Sequence, residues 1–133
     1  MRTVAIVQAR TGSTRLPGKV LMDLCGMTVL ERVVTRVQRS ATIDEAVIAT
    51  TTGTHDDAIA LIGKRLDVRV VRGNERDVLS RYVLAAREMN AEICVRATAD
   101  CPLIEPAVID RTVRALRASG YDFASTSAEG YDE

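Results

Sequence analysis

Thr3-Val4-Ala5-Ile6-Val7-Gln8-Ala9-Arg10-Thr11-Gly12-Ser13-Thr14-Arg15-Leu16-Pro17-Gly18-Lys19 is the stretch that decides the fold. Its first six residues form a β-branched, nearly continuous apolar run, as expected of a strand buried on both faces. The chain then passes directly into two glycines, three small hydroxyl residues and three cations, Arg10, Arg15 and Lys19. Glycine lets a backbone approach a ligand closely and turn its N–H groups towards an anion. Arginine forks onto phosphate oxygens, and lysine supplies a point charge. The chemistry suggested is triphosphate binding; the plainer alternative is a solvated turn with incidental charges. A P-loop is excluded by spacing, because five residues separate Gly12 from Gly18 and Val20 follows Lys19. The G-x-G-x-x-G dinucleotide fingerprint is absent as well.

Outward from this stretch the apolar periodicity alternates between two modes. Val29, Leu30, Val33, Val34 and Val37 share one helical face, and Thr28 with Glu31 forms a candidate capping box. Residues 46–50 read as a second strand, and Ala58, Ile59, Ile62 and Leu66 as a second helix. Residues 68–71 read as a third strand and residues 93–97 as a fourth. Between them Val78, Leu79, Tyr82, Val83, Ala86 and Met89 mark a helix. A last helix runs from near Pro106 to near Gly120, and Tyr121 to Ser125 is a candidate fifth strand. Strict alternation of β and α implies a Rossmann-like three-layer α/β/α fold with a mostly parallel sheet. In such sheets ligands bind at the carboxyl ends of the strands, beside the point where strand order reverses.

Composition narrows the function. The 133 residues fit one domain, 1–133, and aromatics make up only 3%. Stacking platforms for single-stranded nucleic acid need aromatic side chains, and 18 basic residues are balanced by 18 acidic ones. A general nucleic-acid or membrane-surface binder would show a basic excess, so neither partner is expected. No apolar run approaches the ~20 residues of a membrane span, and no charged-then-apolar leader opens the chain. Cys25, Cys94 and Cys101 form no metal-binding or redox spacing, so reduced thiols in the cytoplasm are expected. His55 stands alone, as an exposed residue of a helix's first turn.

Asp100 follows the fourth strand. With the usual strand order 3-2-1-4, strands one and four are neighbours across the switch point, and Asp100 faces the cationic loop. A carboxylate beside a triphosphate makes sense mainly with Mg²⁺ between them; the alternative is a turn aspartate that caps the next helix. Asn74, Glu75, Asp77 and Arg81 follow strand three on the same edge, where nucleotide contact competes with simple capping by Asp77 and an exposed Arg81. Arg96, within strand four, is not expected to be buried unpaired; it reaches an acidic partner or the ligand.

The run from Gln8 to Lys19, with Val20-Leu21 and Gly26, resembles the opening motif of the sugar cytidylyltransferases, which include the CMP-Kdo and CMP-sialic acid synthetases. Arg76-Asp77-Val78-Leu79-Ser80-Arg81-Tyr82 and residues 96–104 resemble in particular the subgroup called spore coat polysaccharide biosynthesis proteins. The likeness implies a fold of the nucleotide-diphospho-sugar transferase type and transfer of CMP from CTP to a sugar, an acidic one for cell-surface polysaccharide, with release of pyrophosphate. It implies that Arg10, Arg15 and Lys19, with Gly12 and Ser13, hold the triphosphate. Asp100 would hold Mg²⁺, and Ala9 with the Asn74–Arg81 segment would help select the base. Arg10, Lys19 and Asp100 would carry the catalysis.

The resemblance implies further strands that supply sugar contacts and, commonly, a second metal carboxylate. This sequence closes with Ala128-Glu129-Gly130-Tyr131-Asp132-Glu133, so the C-terminal sugar-binding portion is expected to be missing. A homo-oligomer, in the simplest case a dimer, is expected from the strand edge this leaves. Two other readings stand beside the first. One is a sugar nucleotidyltransferase that uses another nucleotide; the other is a non-catalytic nucleotide-binding or assembly domain.

Overall fold

A computed structural model describes residues 1–126. Its centre is a four-stranded, wholly parallel sheet in the order β5-β4-β1-β6. The strands are β1 (Thr3–Gln8), β4 (Glu45–Thr51), β5 (Arg69–Gly73) and β6 (Ile93–Thr98). Residues β2 (Asp23–Leu24) and β3 (Met27–Thr28) form a separate antiparallel hairpin. The expected order 3-2-1-4 therefore holds, with β1 between β4 and β6. In register, Ile6 lies between Val47 and Arg96.

Successive residues of a strand face opposite ways, and each face of β1 is apolar. Val4 and Ile6, with Val47, Ala49 and Val71, pack against Ala85 of α3 (Val78–Glu88) and against Met89, its C-cap. Ala5, Val7 and Ala9 face α1 (Val29–Val37), α2 (Asp57–Arg65) and α4 (Pro106–Ser119) through Val33, Val34, Val37, Ile59, Ile62, Ile109 and Val113. Helices on both faces make the three layers. The anticipated capping box opens α1: the Glu31 amide donates to Thr28 Oγ1 at 3.1 Å, and the Thr28 amide to Glu31 Oε2 at 2.7 Å. Pro106 starts α4, and Gly120, at φ 70°, ends it in the left-handed conformation that favours glycine.

Two features differ from expectation. The hairpin 23–28 was not foreseen; Cys25 (φ 55°) and Gly26 (φ 92°) form its two-residue turn, both in the left-handed region that such turns require. Tyr121 to Ser125 is not a strand: it pairs with no other strand among the described residues, and Tyr121 and Phe123 are exposed.

Gly63 lets α2 lie close on β5. A Cβ there would stand 2.2 Å from Val70 Cγ2 and 3.2 Å from the Val68 carbonyl oxygen. Overpacking costs about 1–3 kcal/mol, against about 1 kcal/mol of helix propensity gained. Gly63→Ala is expected to lower the urea midpoint. An unchanged or higher midpoint would show that α2 can shift freely on the sheet.

Candidate functional site

The loop between β1 and β2 begins with its base drawn together. Ala9 is buried, and its amide donates to the Ala49 carbonyl at 3.0 Å, continuing the sheet. Thr11 is held from both sides. Its amide and hydroxyl donate to Asp56 Oδ1 at 2.9 and 2.7 Å, and its carbonyl accepts from the Gly18 amide at 2.9 Å. Gly18 takes φ 70°, a backbone state suited to glycine, and a single 3-10 turn, Lys19–Leu21, follows. Inside this hoop the amides of Gly12, Ser13, Thr14 and Arg15 donate to no acceptor among the described residues. A run of free amides flanked by cations is suited to an anion.

Strand order brings Asp100 to the loop. β6 lies beside β1, and the chain leaves β6 through Ala99, whose amide donates to the Gln8 carbonyl at 3.0 Å. Asp100 Oδ2 then stands 3.3 Å from Lys19 Nζ. The Thr98 hydroxyl, with Lys19 adding to it, holds the Asp100 carboxyl below its ordinary range against the opposing effect of partial burial. A cleft of about 240 Å³ joins Gln8 at the end of β1 and Ala9, Arg10, Ser13 and Lys19 of the loop to Arg96 and Thr98 of β6 and to Ala99 and Asp100 just beyond it. A larger groove, about 470 Å³, runs between β6 and α4, but Val95, Ile104, Val108 and Leu116 make much of its wall apolar.

Ala9, Arg10, Ser13, Lys19 and Asp100 thus share one cleft. Gly12 and Arg15 do not line it: both are exposed, and Glu75 Oε1 is 3.7 Å from where a Gly12 Cβ would be. Asn74 and Arg81 do not line the cleft. Asn74 Oδ1 accepts from the Arg76 and Asp77 amides, and Asp77 caps α3 through the Ser80 amide. Arg81 is buried rather than exposed: its side chain lies over Gly73, and Nη1 donates to the carbonyls of Asn74 and Glu75 at 2.8 and 3.0 Å. It shapes the segment after β5 from beneath.

Arg96 is exposed on β6, with its guanidinium 5.7 Å from the Tyr82 ring centre and no carboxylate partner among the described residues. Tyr82 donates its hydroxyl to Gln8 Oε1 at 3.1 Å. Burial pushes the Tyr82 phenol up, while Arg96 and Arg81 pull it down less strongly. His55 lies in a single 3-10 turn before α2, with Nε2 3.2 Å from Glu75 and 3.6 Å from Asp56. Asp56, Gln8, Thr98 and Tyr82 went unassigned in the sequence. The one signal for Asp56 was its place after the second strand, on the binding edge of the sheet.

No group of three or more His, Cys, Asp or Glu side chains is placed to hold a metal among the described residues. A lone carboxylate next to a cationic, amide-rich loop still fits Mg²⁺, which keeps several waters and takes its other ligands from phosphates where a triphosphate is bound. The three cysteines are free and exposed, and no described helix is long and apolar enough to cross a membrane.

An open parallel sheet with a cationic, amide-rich loop after β1 and a carboxylate after neighbouring β6 is the architecture of a nucleotidyltransferase-type fold. The family model described as Cytidylyltransferase matches residues 4–133, and the chain belongs to that family. It is 38% identical over 122 residues to the spore coat polysaccharide biosynthesis protein of Bacillus subtilis, covering 89% of this chain and 51% of that one. It is 36% identical over 116 residues to the 3-deoxy-manno-octulosonate cytidylyltransferase of Geobacter sulfurreducens, covering 87% and 46%. The solved structure of a cytidylyltransferase from Leptospira borgpetersenii superposes with a TM-score of 0.85 at 37% identity, over 90% of this chain and 50% of that one. The chain spans about half the length of the curated relatives it matches.

Proposed function

We propose that the chain binds CTP with Mg²⁺ in the cleft between the β1 loop and the end of β6, and serves transfer of CMP to a sugar hydroxyl. The observation that carries this is the 3.3 Å approach of Lys19 to Asp100 at the mouth of a loop with four free amides. The free amides with Arg10, Arg15 and Lys19 take the triphosphate. In the reaction the sugar oxygen forms a bond to the α-phosphorus, the bond from that phosphorus to the bridging oxygen breaks, and pyrophosphate leaves. The hydroxyl proton passes to water, since His55 lies outside the cleft. Asp100, together with the phosphates, would hold Mg²⁺, which would supply charge neutralisation at the α-phosphoryl group. The cations of the loop stabilise the charge that develops on the leaving pyrophosphate, and positioning does much of the rest. Arg96 supports an acidic acceptor: it is a cation on the β6 side of the cleft, 5.7 Å from the Tyr82 ring centre and without a carboxylate partner among the described residues.

Calorimetric titration with CTP, UTP, ATP and GTP in the presence of Mg²⁺ tests the reading. CTP is expected to bind tightest, and to bind more weakly once Mg²⁺ is chelated. Equal affinity for all four, or none for any, would refute it.

Asp100 carries the metal part. Asp100→Asn removes the charge but keeps the shape, so the fold is expected to persist and the Mg²⁺-dependent gain in CTP affinity to shrink by about 1.5–3 kcal/mol, as for a lost charged partner. If Asp100 served only as a turn cap, the melting temperature would fall and the response to Mg²⁺ would stay intact.

A further inference from the structure

Asp56 is wholly buried, directly behind the triphosphate loop. A buried carboxylate under an anion-binding loop repels the ligand, so its presence there calls for a reason. Its oxygens are filled almost entirely from two places. The Thr11 amide and hydroxyl donate to Oδ1, and the Thr51 hydroxyl at the end of β4 donates to Oδ2. Burial alone would raise its pKa, but the bonds from Thr51 and Thr11 outweigh that effect and hold it below the ordinary value. His55 Nε2 lies 3.6 Å from Asp56 Oδ2.

The donors show what the carboxylate does. The Thr11 amide is used by Asp56, and the Thr11 carbonyl by the Gly18 amide. Thr11 is therefore fixed at both ends, and the four amides that follow it have no acceptor among the described residues. An aspartate without charge would hold the Thr11 amide less firmly, because hydrogen bonds to ionised groups are about twice as strong as neutral ones. The 3-10 turn that carries Asp56 also carries His55, 3.2 Å from Glu75, so the same turn borders the segment after β5.

We propose that Asp56 is the positioning residue of the triphosphate loop: it pins Thr11 so that the amides of Gly12 to Arg15 stay turned towards the phosphates. This rests on the reading that the loop holds a nucleoside triphosphate. Asp56 touches no phosphate, and the Thr11 amide, already used, is not one of the phosphate donors.

The test compares CTP with cytidine, which lacks phosphates, on the whole chain. CTP–Mg²⁺ is titrated by calorimetry and cytidine by ligand-observed NMR. Asp56→Ala is expected to weaken CTP binding about tenfold or more, the size of one lost charge-assisted hydrogen bond, and to leave cytidine binding unchanged. Asp56→Asn keeps an oxygen facing Thr11 and is expected to recover part of the loss. Thr11→Val is expected to show a smaller, CTP-selective loss that adds nothing in the Asp56→Ala background, since both act through one contact. If Asp56→Ala fails to fold, Asp56→Asn and Thr11→Val carry the same comparison. A loss shared equally by CTP and cytidine, or no loss in either variant, overturns the proposal. Wild-type chain that binds cytidine but gains nothing from the triphosphate overturns the phosphate-loop reading itself, before any variant is compared.

Discussion

Replacing Arg10 and Lys19 together by alanine is expected to weaken CTP–Mg²⁺ binding about a hundredfold to ten-thousandfold. Both residues line the cleft with Asp100. Arg10 is exposed and has no carboxylate partner among the described residues, so its charge is free for a phosphate. Lys19 is shared with Asp100 at 3.3 Å, and both side chains are partly exposed. A pair of that kind contributes about 0–1 kcal/mol, so turning Lys19 from Asp100 to a phosphate costs little. Each charged hydrogen-bonding partner lost is worth about 1.5–3 kcal/mol, which gives about 3–6 kcal/mol for the two if they act separately. Stability should move by no more than about 0.5 kcal/mol, as for other surface changes. Calorimetric titration checks the affinity, and the single variants show whether the effects add. Lys19→Ala carries a second consequence: Asp100 loses one of the groups that lower its pKa, so its carboxyl should rise towards the ordinary value. Unchanged affinity in both single variants would end the phosphate-loop reading. High salt should weaken wild-type binding more than it weakens the double variant, because the charges being screened are absent there.

The strand order was legible because β1 announces itself. A continuous apolar run from Thr3 to Val7 belongs in the middle of a sheet, and β4 and β6 do flank it. Once β1 and β6 are neighbours, Asp100 comes to face the cationic loop, as expected from the sequence, and there it stands 3.3 Å from Lys19. The Thr28–Glu31 capping box was equally local. What escaped has a common cause: it depends on partners far away in the chain. Asp56 went unassigned, because its donor Thr11 lies 45 residues earlier. Arg81 read as a surface residue, since charge usually marks the wet face of a helix; its burial follows from Gly73, which has no side chain to keep it away. The hairpin 23–28 has two-residue strands, too short for a period of two to register. Tyr121 and Phe123 alternate like strand residues, yet both are exposed, and alternation alone does not supply a neighbour to pair with.

Asp110→Ala is expected to cost about 3–5 kcal/mol of folding stability, the largest loss anticipated for any single side chain here. Asp110 lies on α4, buried against the turn that leads into β4. Its Oδ1 accepts from the Ser40 hydroxyl, from the Thr42 amide at 2.9 Å and from the Thr42 hydroxyl at 2.6 Å, and its Oδ2 from the Ala41 amide at 3.1 Å. Removing the carboxylate leaves the two hydroxyls able to pair with each other, as they already lie 3.3 Å apart. The two amides are left without an acceptor, at about 1–3 kcal/mol for each buried group. The sign of the pH dependence follows from the same bonds. Burial pushes the Asp110 carboxyl up, but the hydrogen bonds from Ser40, Thr42 and Ala41 overcome that and hold it far below the unfolded value of 3.8. The unfolded chain therefore takes up a proton at a higher pH than the folded one. The stabilisation is fully present above about pH 5 and is lost progressively as the pH falls from there towards the folded pKa. Urea unfolding at a series of pH values checks this: wild type should lose stability in acid, and Asp110→Asn, which has no proton to gain, should lose less over the same range. The consequence reaches the cleft. α4 follows directly on the 100–105 segment, where Arg36 Nε donates to the Ile104 carbonyl at 2.7 Å and pairs with Glu105. Loosening α4 is thus expected to lower CTP affinity at pH values where the wild-type clasp is intact. A variant that loses stability but binds CTP as tightly as wild type would show that Asp100 keeps its place without α4.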